Sequence, residues 1–189
     1  TAYRAFWPDE DRHRAWRFRM GEAREKDVVE AFAAWAHETP RLTPTMARAF
    51  GRRLHEHGEA QARFFPGAVD ALTTLKARGV LLALVTNGAS EPQRAKVVRF
   101  ALAPMFDHVQ IEGEAGFGKP EPQAYLHAMA ALGVDPADTW MVGDNLEWEV
   151  AAPQRLGIFA IWHDHLAEGL PPHAPVRPHR IIRSIARLV

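Results

Sequence analysis

Three short stretches of this chain carry side chains suited to gripping a multiply charged anion. Thr86-Asn87-Gly88 offers a hydroxyl and backbone N–H groups that open toward a helix, donors of the kind that satisfy phosphate oxygens. Lys119 lies in the glycine-rich run Gly116-Phe117-Gly118-Lys119-Pro120-Glu121-Pro122. It is a compact positive charge, and Pro120 restricts the backbone that aims it. Asp144, in Gly143-Asp144-Asn145, is a hard oxygen donor of the sort that Mg²⁺ takes alongside waters and phosphate oxygens. Glu147 and Glu149 follow in the first turn of the next helix, where acids meet the positive end of the helix dipole. Each stretch alone has a bland reading: a turn or helix cap, a surface lysine, a common Gly-Asp turn. Their joint arrangement is what points to phosphate held with a magnesium ion.

Such side chains must be delivered to one rim, and the hydrophobic patterning supplies the means. From Phe65-Pro66-Gly67 onward, helices are predicted at 68–77, 91–100, 121–132 and 147–156, the first ending at Gly79 and the last two at Gly133 and Gly157. They alternate with apolar runs at 80–85, 108–111, 139–142 and 158–162, and the run at 80–85 reads as a strand buried on both faces. Strands alternating with helices imply βαβ units and a doubly wound parallel sheet with right-handed crossovers. In such sheets the ligand sits beyond the carboxyl ends of the strands, where Thr86, Lys119 and Asp144 fall. Residues 163–179 hold Pro171, Pro172, Pro175 and Pro178 and read as a loop. Residues 181–182 read as a short edge strand or helix start, and 184–189 as a closing helical turn.

Residues 1 to 63 carry helical periodicity instead, with apolar positions at Trp16, Val28, Val29, Phe32, Met46, Phe50 and Leu54. Helices are predicted to start at Pro8-Asp9-Glu10-Asp11 and at Thr43-Pro44. The expectation is a helical bundle over 1–64, with Trp7, Trp16, Trp35, Phe18, Phe32 and Phe50 as its core, and an α/β domain over 65–189.

Composition narrows the function classes. The 189 residues include 47% hydrophobic and 24% charged side chains and have zero formal net charge. That balance points to a soluble globular protein and away from general binding to nucleic acid or acidic membranes. With no cysteine, disulfides, thiolate catalysis and Cys-ligated zinc are excluded. No apolar run reaches the ~20 residues of a membrane span, and the cytoplasm is the expected compartment. His163-Asp164-His165 is not read as a metal site, because adjacent loop residues rarely converge on one ion.

The chain resembles the haloacid dehalogenase superfamily. Leu84-Val85-Thr86-Asn87-Gly88 is similar to its second motif and Gly118-Lys119-Pro120-Glu121-Pro122 to its third. Val142-Gly143-Asp144-Asn145-Leu146-Glu147-Trp148-Glu149 is similar to its fourth, and Phe65-Pro66-Gly67 to the return from a helical cap. The resemblance implies a Rossmann-like core with a helical cap and a Mg²⁺-dependent phosphatase acting on a small phosphorylated metabolite through an aspartyl-phosphate. Thr86, Asn87, Lys119 and Asp144 would be catalytic. Thr86, Asn87, Gly88 and Lys119 would bind phosphate. Asp144 would bind the metal, with Asn145 and Glu149 near its water shell.

Two features depart from the pattern. Glu149 stands where the family usually has Asp. The only Asp-x-Asp is Asp9-Glu10-Asp11, preceded by Pro8 and by Arg4, residues that a buried central strand tolerates poorly. The resemblance therefore implies a further core strand upstream of residue 1, carrying the nucleophile and lying between the strands of the second and fourth motifs. Without it the sheet would have a central gap and the chain would hydrolyse little. The alternatives are a non-catalytic binding protein that keeps the pocket, and metal-free halide displacement from a 2-haloacid.

Overall fold

The computed structural model describes residues 16, 18–35 and 43–189. The chain divides into two units, Thr1–Arg63 and Phe64–Val189. The first contains α1 (Met20–Trp35) and α2 (Pro44–Ala60). Thr43 caps α2, its hydroxyl accepting the Met46 N–H at 3.3 Å, and Pro44 occupies the first turn, where a missing N–H costs nothing. The two helices meet through small residues. Ala23, Ala47 and Gly51 are buried, and the rings of Phe32 and Phe50 lie 5.9 Å apart. Phe18 and Phe50, expected in the core, are roughly half exposed, as are Met46 and Leu54 of the apolar periodicity. Close approach of the backbones at alanine and glycine leaves these larger side chains at the margin. The helix start at Pro8 and the Asp9-Glu10-Asp11 triplet lie outside the described residues.

The second unit is α/β. It runs α3 (Ala68–Ala77), β1 (Ala83–Thr86), α4 (Ser90–Arg99), β2 (His108–Ile111), α5 (Glu112–Ala115), α6 (Pro122–Leu132) and β3 (Trp140–Gly143). A π-helical turn (Leu146–Ala151), α7 (Ala152–Arg155), β4 (Phe159–His163) and β5 (Arg180–Ile182) complete it. All pairings are parallel, as βαβ connections require. β1 pairs with β2, Thr86 opposite Ile111. β3 pairs with β4, Gly143 opposite Trp162, and β4 pairs with β5.

Two expectations about strands need correction. β1 begins at Ala83, not at residue 80. Val80 and Leu81 are exposed, and the Leu82 N–H and C=O are taken by the Asp107 carboxylate and the Asp107 N–H, each at 2.8 Å. Nor is β1 buried on both faces. All four of its residues are only partly buried, whereas Ala160 to His163 of β4, flanked by strands on both sides, are fully buried. Among the described residues the strands form two sheets, β1–β2 and β3–β4–β5, and β1 and β3 each have one edge without a strand partner.

α6 ties the sheets together. Gln110 of β2 donates to the Ala124 carbonyl at 2.9 Å, and its Oε1 meets His127 Nδ1 at 2.8 Å. On the other side, Tyr125 and Met129 pack with Ala152 and Ile158, flanked by Met141 and Leu156. A second cluster, Val150, Ala160 and Trp162, lies beneath Leu170 and Val176 of the proline-rich loop.

The helix expected over 147–156 starts instead as a π-helical turn. Asn145 caps it, its Oδ1 accepting the Glu147 and Trp148 N–H groups at 2.9 Å each, and the Ala152 N–H reaches back to the Glu147 carbonyl. Pro153 has no N–H to give the Glu149 carbonyl, so the α-helical ladder cannot run unbroken through this segment. The buried Tyr125 hydroxyl donates to the Trp148 carbonyl and pins the wider turn from outside. Tyr125→Phe removes that donor and is expected to lower stability by about 1–3 kcal/mol, read by urea unfolding with tryptophan fluorescence. An unchanged unfolding midpoint would contradict this role for the hydroxyl.

Candidate active site

Thr86, Asn87 and Gly88 lie at the carboxyl end of β1 and Asp144 and Asn145 just past β3, while Lys119 lies in the loop between α5 and α6, and hydrogen bonds link the three stretches. At the tip of β1, the Asn87 side chain clamps the backbone of Lys119. Its Nδ2 donates to the Lys119 carbonyl at 2.6 Å, and the Lys119 N–H donates to Asn87 Oδ1 at 2.9 Å. The side chain of Asn87 thus holds the lysine loop, and any contact with phosphate is left to its backbone. The Thr86 hydroxyl, part-buried beside it, donates to Gln93 Oε1 at 3.3 Å. Gly88 differs from expectation. Its N–H donates to the Glu112 carboxylate at 2.9 Å, so in this arrangement it is not aimed at a bound anion.

Lys119 lies within a close turn that enters α6, the Glu121 N–H donating to the Gly118 carbonyl at 2.9 Å, and the Lys119–Pro120 peptide bond is cis. Its ammonium lies 2.7 Å from Glu149 Oε1, with side chains 11% and 5% exposed. The other carboxylate oxygen accepts the Asn145 N–H at 2.8 Å. Both oxygens of Glu149 are therefore engaged by protein, and its evident task is to hold Lys119 rather than to reach toward a metal's water shell. Asn145 likewise spends its side-chain oxygen on the π-helical turn. The absence of a side chain at Gly143 makes room for this: a Cβ there would stand 2.0 Å from Glu149 Cγ. Burial, with the nearby carboxylates of Glu149 and then Glu147, holds the Tyr125 phenol well above its ordinary pKa, so it stays a neutral donor beneath the turn.

Asp144 directly follows β3 and is exposed, and its backbone carbonyl accepts the Trp162 indole N–H at 2.8 Å. Its carboxylate, a hard donor at the rim, fits one of the one or two protein carboxylates that a magnesium ion takes. His163 ends the neighbouring strand, buried against Phe65 at 5.0 Å between ring centroids. Burial, then the neighbouring His165, pushes its pKa below the ordinary histidine value, with Asp144 and Asp164 opposing. Asp164 is a loop organiser, its two oxygens accepting the Glu168 and Gly169 N–H groups at 3.0 Å each. Among the described residues no three His, Cys, Asp or Glu side chains form a metal-binding group.

The structure therefore joins Asn87, Lys119, Glu149 and Asn145 directly, with Thr86 and Asp144 as the chain neighbours of the two asparagines. Glu112, Gln93 and Tyr125 were not anticipated. Their sequence surroundings resemble any helix turn or strand end, and only burial distinguishes Glu112 from Glu114. Removing one member of a buried ion pair leaves the other charge unpaired, a loss of about 3–5 kcal/mol. Glu149→Ala is expected to lose stability on that scale. The double variant K119M/E149M should lose less than the two single losses combined. Urea unfolding of the wild type, K119M, E149M and K119M/E149M measures the coupling, and strict additivity would show that the pair is not energetically linked.

The chain matches the model of the haloacid dehalogenase-like hydrolases over residues 2–157. It is 37% identical to a phosphoserine phosphatase of Thermus thermophilus over 163 residues, 78% of this chain and 62% of that protein. It is 33% identical to an N-acylneuraminate-9-phosphatase of Rattus norvegicus over 120 residues, 64% of this chain and 48% of that protein. The chain thus spans less than two thirds of the length of these relatives. In fold it is similar to a HAD phosphatase from Thermococcus onnurineus, with a TM-score of 0.65 at 22% identity, covering 85% of this chain and 86% of that one. It is also similar to the HAD-hydrolase YfnB from Bacillus subtilis, with a TM-score of 0.65 at 19% identity, covering 99% and 87%. Joined to the parallel α/β core and the lysine, threonine and aspartate at its strand ends, the match shows that the chain belongs to the haloacid dehalogenase-like hydrolases.

Proposed function

We propose that this chain forms most of a Mg²⁺-dependent phosphatase of the cytoplasm that hydrolyses a small phosphate monoester, and that the nucleophile sits on a strand filling the slot between β1 and β3. The observation that carries the reading is the part-buried Lys119, its side chain 11% exposed, with its backbone held by Asn87 after β1 and its ammonium by Glu149 after β3. A lysine desolvated and fixed in this way is poorly explained as a solvated surface residue. Among the described residues β1 and β3 each leave one edge without a strand partner, which supplies a place for such a strand. Unpaired backbone along two strands is a liability that a further strand removes. The phosphatase names among its relatives support the substrate class, with O-phosphoserine the first compound to test.

In this reading a carboxylate on the added strand attacks phosphorus. The P–O bond to the leaving alcohol breaks and an acyl phosphate forms, which water then hydrolyses to inorganic phosphate and the free carboxylate. Attack by one anion on another requires positive charge close by. An ammonium carries three N–H donors, of which Glu149 takes one, and Lys119 directs its charge at the nucleophile and the transferring oxygens. The Thr86 hydroxyl and the Asn87 backbone N–H hold those oxygens. Asp144 would hold Mg²⁺, which when bound neutralises phosphoryl charge.

Lys119→Ala and Asp144→Ala, made in the full-length protein, should each lower turnover of p-nitrophenyl phosphate by about 10²–10⁴-fold. EDTA should abolish activity and Mg²⁺ restore it. Near-wild-type turnover in either variant, or activity indifferent to EDTA, would defeat the assignment. Release of halide from a 2-haloacid without metal would replace it.

A further inference from the structure

Glu112 is the most deeply buried acid described, 1% exposed at the end of β2. Taking a carboxylate out of water is expensive unless it is hydrogen-bonded, and this one accepts the Gly88 N–H at 2.9 Å through Oε2. The same glycine is gripped from its other side, its carbonyl accepting the Gly113 N–H at 3.0 Å. Gly88 has φ +122°, a conformation open to glycine, and a glycine there leaves the preceding peptide free to rotate unless something fixes it. In a trans peptide the carbonyl points opposite to the N–H. Committing the Gly88 N–H to Glu112 therefore turns the Asn87 carbonyl the other way, toward the side where the Thr86 hydroxyl lies 3.5 Å from it.

Glu112 also meets the lysine loop. A Cβ at Gly118 would stand 2.3 Å from Glu112 Oε1, so the backbone just before Lys119 rests against the carboxylate. Gly113 is equally close to the start of α4, where a Cβ would fall 2.5 Å from the Ser90 nitrogen. One carboxylate thus lies between the threonine turn and the lysine loop, on the side opposite the Asn87 clamp. Glu114, two residues on, joins the same elements at the surface by bonding Ser90 and Arg94, but the bonds described for it do not reach Gly88.

We propose that Glu112 is a positioning residue for phosphate binding: it fixes the peptide between Asn87 and Gly88 and sets the spacing between the Thr86 turn and the Lys119 loop. The inference rests on the phosphatase reading for its functional consequence, and on the geometry alone for the clamp. Gln in its place keeps a carbonyl that accepts the Gly88 N–H. Ala removes the acceptor. Asp keeps the charge but is one methylene too short to reach, and it serves if the alanine variant does not fold.

The test uses the full-length protein, with hydrogen exchange over 86–90 and inhibition by inorganic phosphate as readouts. E112A and E112D should exchange at least tenfold faster over 86–90 and bind phosphate at least tenfold more weakly. E112Q and the surface control E114A should stay within threefold of the wild type. The proposal is overturned if E112A or E112D leaves exchange and phosphate inhibition unchanged, or if E112Q is as impaired as E112D. A lowered melting temperature with unchanged phosphate inhibition would also overturn it, by making Glu112 structural only. If the wild type neither turns over phosphate esters nor binds phosphate, the phosphatase reading fails instead, and the exchange data still decide whether Glu112 holds the turn.

Discussion

A positive charge cannot be left in a protein interior without a partner, and in this chain that constraint settles on Lys119. Its partner, Glu149, is more deeply buried than the lysine itself, so each charge depends on the other and on the groups around them. Gly143 must lack a side chain to admit the glutamate, Asn145 must present its N–H, and the π-helical turn must aim Glu149 back across the site. Tyr125, held neutral by its burial, supports that turn at Trp148. On the other side Asn87 holds the lysine's own backbone. The site is therefore a single connected unit in which Thr86 and Asp144 each sit beside an asparagine committed to the framework.

The same pair spans a division in the sheet. Asn87 belongs to the β1–β2 side and Glu149 to the β3–β4–β5 side, and α6 bridges them through Gln110 on one flank and Tyr125 on the other. Neighbours decide how completely a strand is buried. β4 has a strand on each side, and all of its residues after Phe159 are buried. Among the described residues β1 has one strand partner, and it stays part-exposed despite its continuous apolar spelling. The Lys119 ammonium sits between these two sides, bonded to Glu149.

Much of this was legible residue by residue. The glycines at 79, 133 and 157 do end their helical segments with positive φ, because only a residue without Cβ takes that conformation cheaply. Thr43-Pro44 does open a helix. The apolar runs at 108–111, 139–142 and 158–162 do become parallel strands, and that at 80–85 does so over its second half, with the polar candidate residues following β1 and β3. These features are local: a cap, a turn or a strand is specified by residues within a few positions of one another.

What the linear order could not determine are the contacts across it. Asn87 meets Lys119 from 32 residues away, Lys119 meets Glu149 from 30, and Glu112 meets Gly88 from 24. Side-chain types and spacing put a lysine, a threonine and an aspartate at strand ends. They could not show that Asn87 would serve the lysine's backbone, that Glu149 would hold its ammonium, or that Glu112 and not Glu114 would be buried. Those assignments follow from which surfaces close against each other when the helices pack on the sheets, since burial turns an ordinary carboxylate into one that must find a donor.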